Sequence, residues 1–169
     1  MSNVTQTFEW KNGRFVVEWI KTGSLNGLSP VTQVYGVCFN NKNEILIARK
    51  VGKELWVIPG GSPEENETIE QTLTREMVEE ADVKVKNIKL VGAQKVYKEG
   101  EPEKYFYQVR CICEVSKLFP QTQDPDDGVS WERKFVPVNE ITNYVKWGTT
   151  GNEMFKDAIQ LWQKLNIGR

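Results

Sequence analysis

The sequence predicts an α/β fold of the α+β type, in which a mixed β-sheet is held between helices. Strand-like apolar runs lie on both sides of one strong helix signal near the middle of the chain, and an amphipathic helix pattern closes the sequence. With 169 residues, the chain is long enough for one domain with a sizeable core. The sequence contains no internal repeat and no sign of a second domain.

The central helix signal begins at Thr68, a favourable N-cap that has the capping-box spacing to Gln71. We expect the helix to run from about residue 69 to residue 81. At 3.6 residues per turn, one apolar stripe should pack on the core. This stripe consists of Ile69, Leu73 and Met77.

Three glutamates on this helix create an electrostatic problem that a cation would solve. Glu76 and Glu80 lie one turn apart beside the core stripe, and Glu79 lies at its edge. Like charges at this spacing destabilise a helix by roughly 0.2–0.5 kcal/mol, and desolvation near a core adds to that cost. Arg75 can pair with Glu79 but cannot neutralise three acids. Because oxygen ligands favour Mg²⁺ or Mn²⁺, the helix indicates a metal site that handles phosphates, with a solvated acidic surface as the alternative.

The stretch Gly61–Val83 resembles the signature box of the Nudix hydrolases. The matching positions are Gly61, Glu67, Arg75, Glu76, Met77, Glu79, Glu80 and Val83. One position departs from the box, because Asp82 stands where a glycine is usual. Since aspartate adopts the left-handed conformation with modest strain, the departure affects the helix end and not the expected metal ligands.

This resemblance implies a Nudix-like α/β/α sandwich that hydrolyses a nucleoside diphosphate linked to another group. It also implies Mg²⁺ or Mn²⁺ as the cofactor. The implied ligands are the carboxylates of Glu76, Glu79 and Glu80 and the backbone carbonyl of Gly60. Glu67 is expected either to bind the metal through water or to brace the loop. For catalysis, Glu76 is the expected proton acceptor and Arg75 is expected to orient Glu79. The alternative is a Nudix-like module that senses a nucleotide without cleaving it, although such modules usually lack box carboxylates.

Substrate contacts are expected around the loop that precedes the box. Gly61 allows this loop to pass close to the metals without a side chain. Arg49 could meet substrate phosphates or simply form a solvated strand end. Trp56 could grip a base, as could four other aromatic residues, although core packing is the alternative for each. These four are Trp10, Trp19, Tyr97 and Tyr105.

Residues 1–30 are predicted to form an N-terminal hairpin and connector ahead of a single Nudix domain over residues 31–169. Asn12-Gly13 between two apolar-aromatic runs is a strong hairpin signal. Similar extensions help build dimers in the ADP-ribose branch of the family, so a homodimer and a monomer both stay open. After the box we expect one or two strands over 83–97, then strands over 105–115 and 131–138, and a last helix capped by Asn152. The apolar stripe of this last helix, which ends at Leu165, should pack on the core. The loop 121–128 offers three possible extra acids, Asp124, Asp126 and Asp127.

Composition narrows the chemistry and the partners. The chain has no histidine, so acid–base catalysis falls to other side chains. Its three cysteines lie in apolar runs, as expected for buried, reduced thiols of a cytoplasmic protein. The net charge of −1 and the absence of a long apolar segment argue against nucleic acid or membrane partners. The expected partner is a small-molecule nucleotide, either an ADP-ribose-like sugar diphosphate or a modified nucleoside triphosphate.

Overall fold

A computed structural model describes residues 3–124 and 128–166. Over these residues it contains an 8-stranded sheet and three α-helices. The strands are β1 (Val4–Trp10), β2 (Gly13–Lys21), β3 (Val31–Phe39), β4 (Glu44–Lys50), β5 (Gly60–Gly61), β6 (Val83–Lys98), β7 (Tyr105–Leu118) and β8 (Trp131–Pro137). The helices are α1 (Ile69–Ala81), α2 (Ile141–Tyr144), which follows a 3₁₀ turn over Val138–Glu140, and α3 (Gly148–Asn166).

The sheet is mixed, as predicted. Its strand order is β1-β2-β6-β7-β3-β4-β8, and the short β5 pairs with β3. Strands β3 and β7 run parallel, whereas the other neighbouring strands run antiparallel. The segment after the box forms one long strand, β6, whose pairing with β7 is interrupted by register shifts. Asn87 in this stretch has a positive φ of 54°, which breaks the regular pleat.

Helices α1 and α3 cover opposite faces of the sheet, which confirms the α/β/α sandwich. Leu73 and Met77 of α1 pack with residues such as Val34 in one buried cluster. Phe155 and Trp162 of α3 belong to a second buried cluster. Leu165, which the sequence pattern placed on the core stripe of α3, is instead 47 % exposed because it lies in the last turn of that helix. The three cysteines are free and buried, as expected.

The N-terminal hairpin is part of the same sheet, because β2 pairs with β6 along its length. It also fixes the start of α3. That helix begins at Gly148, so the prediction that Asn152 caps it is wrong. The Oε1 atom of Gln6 on β1 accepts a hydrogen bond from the Thr150 backbone N–H at 3.2 Å, which supplies a cap from 144 residues away. Across the described ranges, no helix combines the length and apolarity that a bilayer crossing needs.

Candidate active site

Helix α1 carries the acidic residues, and local sequence signals fix both of its ends. The Oγ1 atom of Thr68 accepts a hydrogen bond from the Gln71 N–H at 3.2 Å, and the Gln71 side chain accepts one from the Thr68 N–H at 2.8 Å. This is the predicted capping box. Asp82 ends the helix in the left-handed conformation with φ 50°, and its backbone N–H donates to the last turn.

Asp82 does more than replace the usual glycine. Its carboxylate accepts hydrogen bonds from the backbone N–H of Thr122 at 2.7 Å and from the Thr122 hydroxyl at 2.8 Å. The guanidinium of Arg133 donates to the carbonyls of Ala81 and Phe119, at 2.6 and 2.7 Å. The last turn of α1 has no basic residue of its own, so Arg133 on β8 supplies the cation that the helix C-terminus favours. Together these contacts tie the end of α1 to the loop that contains Asp124.

Restoring the usual glycine with Asp82→Gly is expected to lower the free energy of unfolding by about 1–5 kcal/mol. Glycine relieves a left-handed strain of roughly 1–2 kcal/mol. The loss of two hydrogen bonds to a buried carboxylate, at about 1.5–3 kcal/mol each, outweighs that gain. Urea unfolding measures the difference. Asp82→Asn, which keeps one acceptor, should fall between the two, and a glycine variant more stable than the wild type would contradict this account.

Arg75 lies at the centre of the acidic residues and holds three of them. Its Nε and Nη2 atoms donate to both oxygens of Glu67 at 2.8 and 3.0 Å. Its Nη1 atom donates to Glu76 at 3.0 Å and to Glu79 at 2.9 Å, the predicted i,i+4 pair. Its Nη2 atom also reaches the Ser62 carbonyl at 3.0 Å. The carboxylates raise the pKa of Arg75, and the largest cause is the hydrogen bonding that Arg75 donates to Glu67, so this side chain is a permanent internal cation.

Glu67 braces the loop that leads into α1. Besides Arg75, it accepts hydrogen bonds from the Glu64 N–H at 2.9 Å and from the Thr72 hydroxyl at 2.8 Å. These contacts, with Arg75 as the main cause, lower the pKa of Glu67 to about 2. Of the two roles expected for Glu67, bracing the loop is the one that its contacts describe.

Gly60 and Gly61, at the start of the box, both lie too close to other residues for a side chain to fit, and each contacts a different neighbour. A Cβ atom on Gly60 would overlap the Val34 carbonyl and Tyr35 of strand β3. A Cβ atom on Gly61 would overlap the carboxylate of Glu76. The loop therefore presses directly against a proposed metal ligand.

Gly61→Ala is expected to lower the turnover number by about a hundredfold, because a displacement of about 1 Å at a catalytic group has an effect of this size. The added methyl group must push the Glu76 carboxylate out of its position. Steady-state kinetics measures the loss. Gly23→Ala is the matched control, since a Cβ atom there meets nothing within 4 Å. Equal activity of both variants would show that the position of Glu76 is unimportant.

Glu80 differs from the other box carboxylates because it does not contact Arg75 among the described hydrogen bonds. Its Oε2 atom accepts a hydrogen bond from the Gly60 N–H at 3.1 Å. Burial raises the pKa of Glu80 to about 8, the Gly60 hydrogen bond opposes this, and Glu76 and Asp124 raise it further. Asp124 is itself only 7 % exposed, and its effect on the pKa of Glu80 places it near the box. Asp126 and Asp127 lie outside the described residues.

The donor set suits a hard divalent cation, since the box offers carboxylate oxygens and no sulfur or histidine nitrogen. In the described ranges, however, no three acidic side chains converge tightly enough to form a ready-made metal centre. The reason is visible in the contacts, because Arg75 occupies the space between Glu67, Glu76 and Glu79.

A cleft of about 480 Å³ opens beside the acidic helix, and Gly60 and Glu80 lie in its wall. This volume is in the range of small-molecule sites. The aromatic side chains of the wall are Phe8, Trp10, Tyr35, Trp131 and Trp147. The polar side chains are Gln33, Gln94, Gln108, Arg110 and Lys146. Nucleotide-sized space thus adjoins the box carboxylates directly.

Some of the residues predicted to contact the substrate line this cleft, and others do not. Arg49 is paired with Glu132, and its guanidinium lies 4.4 Å from the ring of Trp56, but neither Arg49 nor Trp56 lines the cleft. Trp10 does line it. Trp19 is buried and donates to Asp157 at 2.8 Å, so it serves the core.

Sequence reasoning missed the most buried polar residue of the cleft, Arg110, and its three glutamine neighbours. Their positions within apolar strand runs gave a signal, because a polar residue inside such a run requires a partner. Strand register was needed to show that these polar residues meet at one place.

Comparison with known proteins agrees with this architecture. The family described as NUDIX domain matches residues 30–157. An RNA pyrophosphohydrolase of Actinobacillus succinogenes is 24 % identical over 127 residues, which cover 64 % of this chain and 64 % of the relative. The chain thus matches less than two thirds of that relative's length. A mutant of the Bacillus subtilis pyrophosphohydrolase superposes with a TM-score of 0.67 at 19 % identity, covering 92 % of this chain and 97 % of the other. A MutT structure from work on Aliivibrio salmonicida and Vibrio cholerae has a TM-score of 0.52 at 21 % identity, covering 78 % and 98 %.

A mixed sheet between helices, with a Gly-Gly loop that leads into a glutamate-bearing helix, defines a protein of the Nudix type. Since the family match spans well over half of the sequence, the chain belongs to the NUDIX domain family. The predicted family and fold class are thereby confirmed. The predicted enzyme class, a pyrophosphohydrolase, agrees with the names of these relatives.

Proposed function

We propose that this chain is a divalent-metal-dependent hydrolase that cleaves the diphosphate of a nucleoside diphosphate linked to another group. The observation that carries the proposal is that the box carboxylates adjoin the nucleotide-sized cleft. Glu80 is one of the box carboxylates, it lines the nucleotide-sized cleft together with Gly60, and it accepts a hydrogen bond from the Gly60 N–H at 3.1 Å. A diphosphate at this junction would leave the nucleoside in the cleft and the scissile bond beside the acids.

The candidate metal ligands are Glu76, Glu79 and Glu80, helped by the Gly60 carbonyl. When bound there, Mg²⁺ or Mn²⁺ would neutralise the diphosphate and lower the pKa of a ligated water. Arg75 orients Glu76 and Glu79 through its hydrogen bonds, and it does not need to touch the substrate. We assign Glu76 as the acceptor of the proton that the attacking water loses.

The range of candidate substrates is wider than the sequence analysis predicts. ADP-ribose-like sugar diphosphates and modified nucleoside triphosphates both contain the required diphosphate. The name of the Actinobacillus relative adds RNA to the candidates, against the expectation of no nucleic-acid partner. The net charge of −1 argues against long tracts of RNA and leaves room for recognition of a single terminal nucleotide.

A substrate panel with Mg²⁺ or Mn²⁺ tests the proposal. It would contain ADP-ribose, nucleotide sugars, diadenosine polyphosphates, normal and oxidised nucleoside triphosphates, and a 5′-triphosphorylated RNA oligonucleotide. We expect release of phosphate, pyrophosphate or a nucleoside monophosphate from at least one of these compounds. Binding without turnover across the whole panel would favour the nucleotide-sensing alternative and overturn the proposal.

A further inference from the structure

One wall of the cleft is built from polar side chains that the proposed catalysis does not use. Three glutamines lie side by side on adjacent strands, because Gln33 of β3 pairs with Gln108 of β7, which in turn pairs with Gln94 of β6. Arg110 follows Gln108 by two residues, so the two side chains share a face of the sheet. All four residues line the cleft.

Arg110 is a buried cation with no carboxylate partner among the described residues. It is only 2 % exposed, and its guanidinium lies 4.5 Å from the ring of Tyr35 and 5.2 Å from that of Trp147. Burial lowers the pKa of Arg110 to about 10, which still leaves it charged at neutral pH. A desolvated charge held only by neutral groups is costly to maintain. Such a group is therefore a candidate for a role in binding.

The hydrogen bonds of Arg110 determine which way the glutamines face. Its Nη2 atom donates to the Oε1 atoms of Gln94 at 2.8 Å and Gln108 at 3.1 Å. Because arginine can only donate, both amides must turn their oxygens toward it. Their NH₂ groups are left as the atoms available for a ligand.

Two further donors in the wall have no protein acceptor among the described residues. They are the Nε atom of Arg110 and the Nε1 atom of Trp131, and both are buried. Both residues line the cleft, and neither group can accept a hydrogen bond. The wall therefore offers an excess of donors and calls for a ligand with acceptor atoms.

Resting on the proposed function, we propose that this wall selects the nucleobase and that Arg110 is its specificity-determining residue. The wall favours bases that present a carbonyl oxygen, such as guanine, hypoxanthine and uracil. It disfavours adenine and cytosine, which present an amino donor at the corresponding position. If an amino group of the base faced these donors, both the amino group and the donors of the wall would be buried without an acceptor. The rings of Tyr35 and Trp147 lie against the guanidinium and hold it in position in the wall.

Inosine and adenosine nucleotides provide a matched test, since their bases differ at the 6-position. Hypoxanthine has a carbonyl oxygen there, whereas adenine has an amino group. Calorimetric titration of the wild-type protein with inosine and adenosine 5′-diphosphates should show about tenfold to hundredfold tighter binding of the inosine compound. Arg110→Met should reduce this ratio to about one. Arg14→Met, which removes an exposed arginine outside the cleft, should leave the ratio unchanged.

Equal affinity of the wild-type protein for both nucleotides, or a preference that survives Arg110→Met, would overturn the inference. Circular dichroism checks the fold of the variant. If the methionine variant does not fold, Arg110→Lys retains the charge but lacks the planar fork, and it should also lose the preference. Turnover of inosine and adenosine 5′-triphosphates separates the two proposals. Hydrolysis of both triphosphates at equal efficiency would contradict the proposed base selection alone. A binding preference without any hydrolysis would contradict the proposed reaction alone.

Discussion

Glu79→Gln is expected to reduce nucleotide hydrolysis by about a hundredfold or more, which corresponds to roughly 3 kcal/mol or more of lost transition-state stabilisation. The substitution keeps the size of the side chain and removes the negative charge that a divalent cation needs. It also weakens the 2.9 Å hydrogen bond from Arg75. Steady-state kinetics at saturating Mg²⁺ measures the effect.

The fold of this variant should remain intact, because Arg75 keeps its contacts with Glu67 and Glu76. Glu70→Gln is the matched control, since Glu70 is an exposed glutamate in the first turn of the same helix. We expect this control to retain nearly full activity. A Glu79→Gln protein that hydrolyses its substrate at the wild-type rate would sink the assignment of Glu79 as a metal ligand.

Arg75→Met is expected to lower the free energy of unfolding by about 3 kcal/mol, at the lower end of what breaking a buried ion pair costs. The side chain is 20 % exposed, so solvent screening reduces the effect somewhat. The physical reason is that Glu67, Glu76 and Glu79 lose their shared cation. For a domain of this size, the melting temperature should fall by roughly 6–12 °C.

Magnesium separates an electrostatic cause from a loss of packing in this variant. If the carboxylates repel one another once Arg75 is gone, added Mg²⁺ should raise the melting temperature of Arg75→Met more than that of the wild type. Lys104→Met, at an exposed ion pair with Glu101, should change stability by no more than about 0.5 kcal/mol. An equal magnesium response in Arg75→Met and wild type would contradict the role of Arg75 as an internal cation.

Helix α1 was predictable from the sequence because its signals are local. Thr68 and Gln71 form the capping box within four residues, and Asp82 ends the helix in the conformation that its place in the box requires. The charge pattern likewise placed Arg75 against Glu79, one turn apart. Residue type and spacing along the chain were therefore sufficient to predict helix α1, its capping box and the pairing of Arg75 with Glu79.

The remaining features depend on contacts between distant parts of the chain. Arg133 caps α1 from about 50 residues away, and Gln6 caps α3 from 144 residues away. The role proposed for Arg110 becomes apparent only from the strand register, which places Gln94 and Gln108 beside it. Such contacts are determined by the tertiary structure, so secondary-structure propensity and residue spacing alone could not predict them.

The most direct test of the central claim is the metal dependence of hydrolysis by the wild-type protein. The best substrate of the panel would be assayed in excess chelator and then during back-titration with Mg²⁺ or Mn²⁺, with the fold followed by circular dichroism. We predict that turnover disappears in chelator while the fold persists, and that it returns as the free cation concentration rises. Full turnover in chelator would contradict the assignment of the box carboxylates as metal ligands and would place the chemistry at a different site.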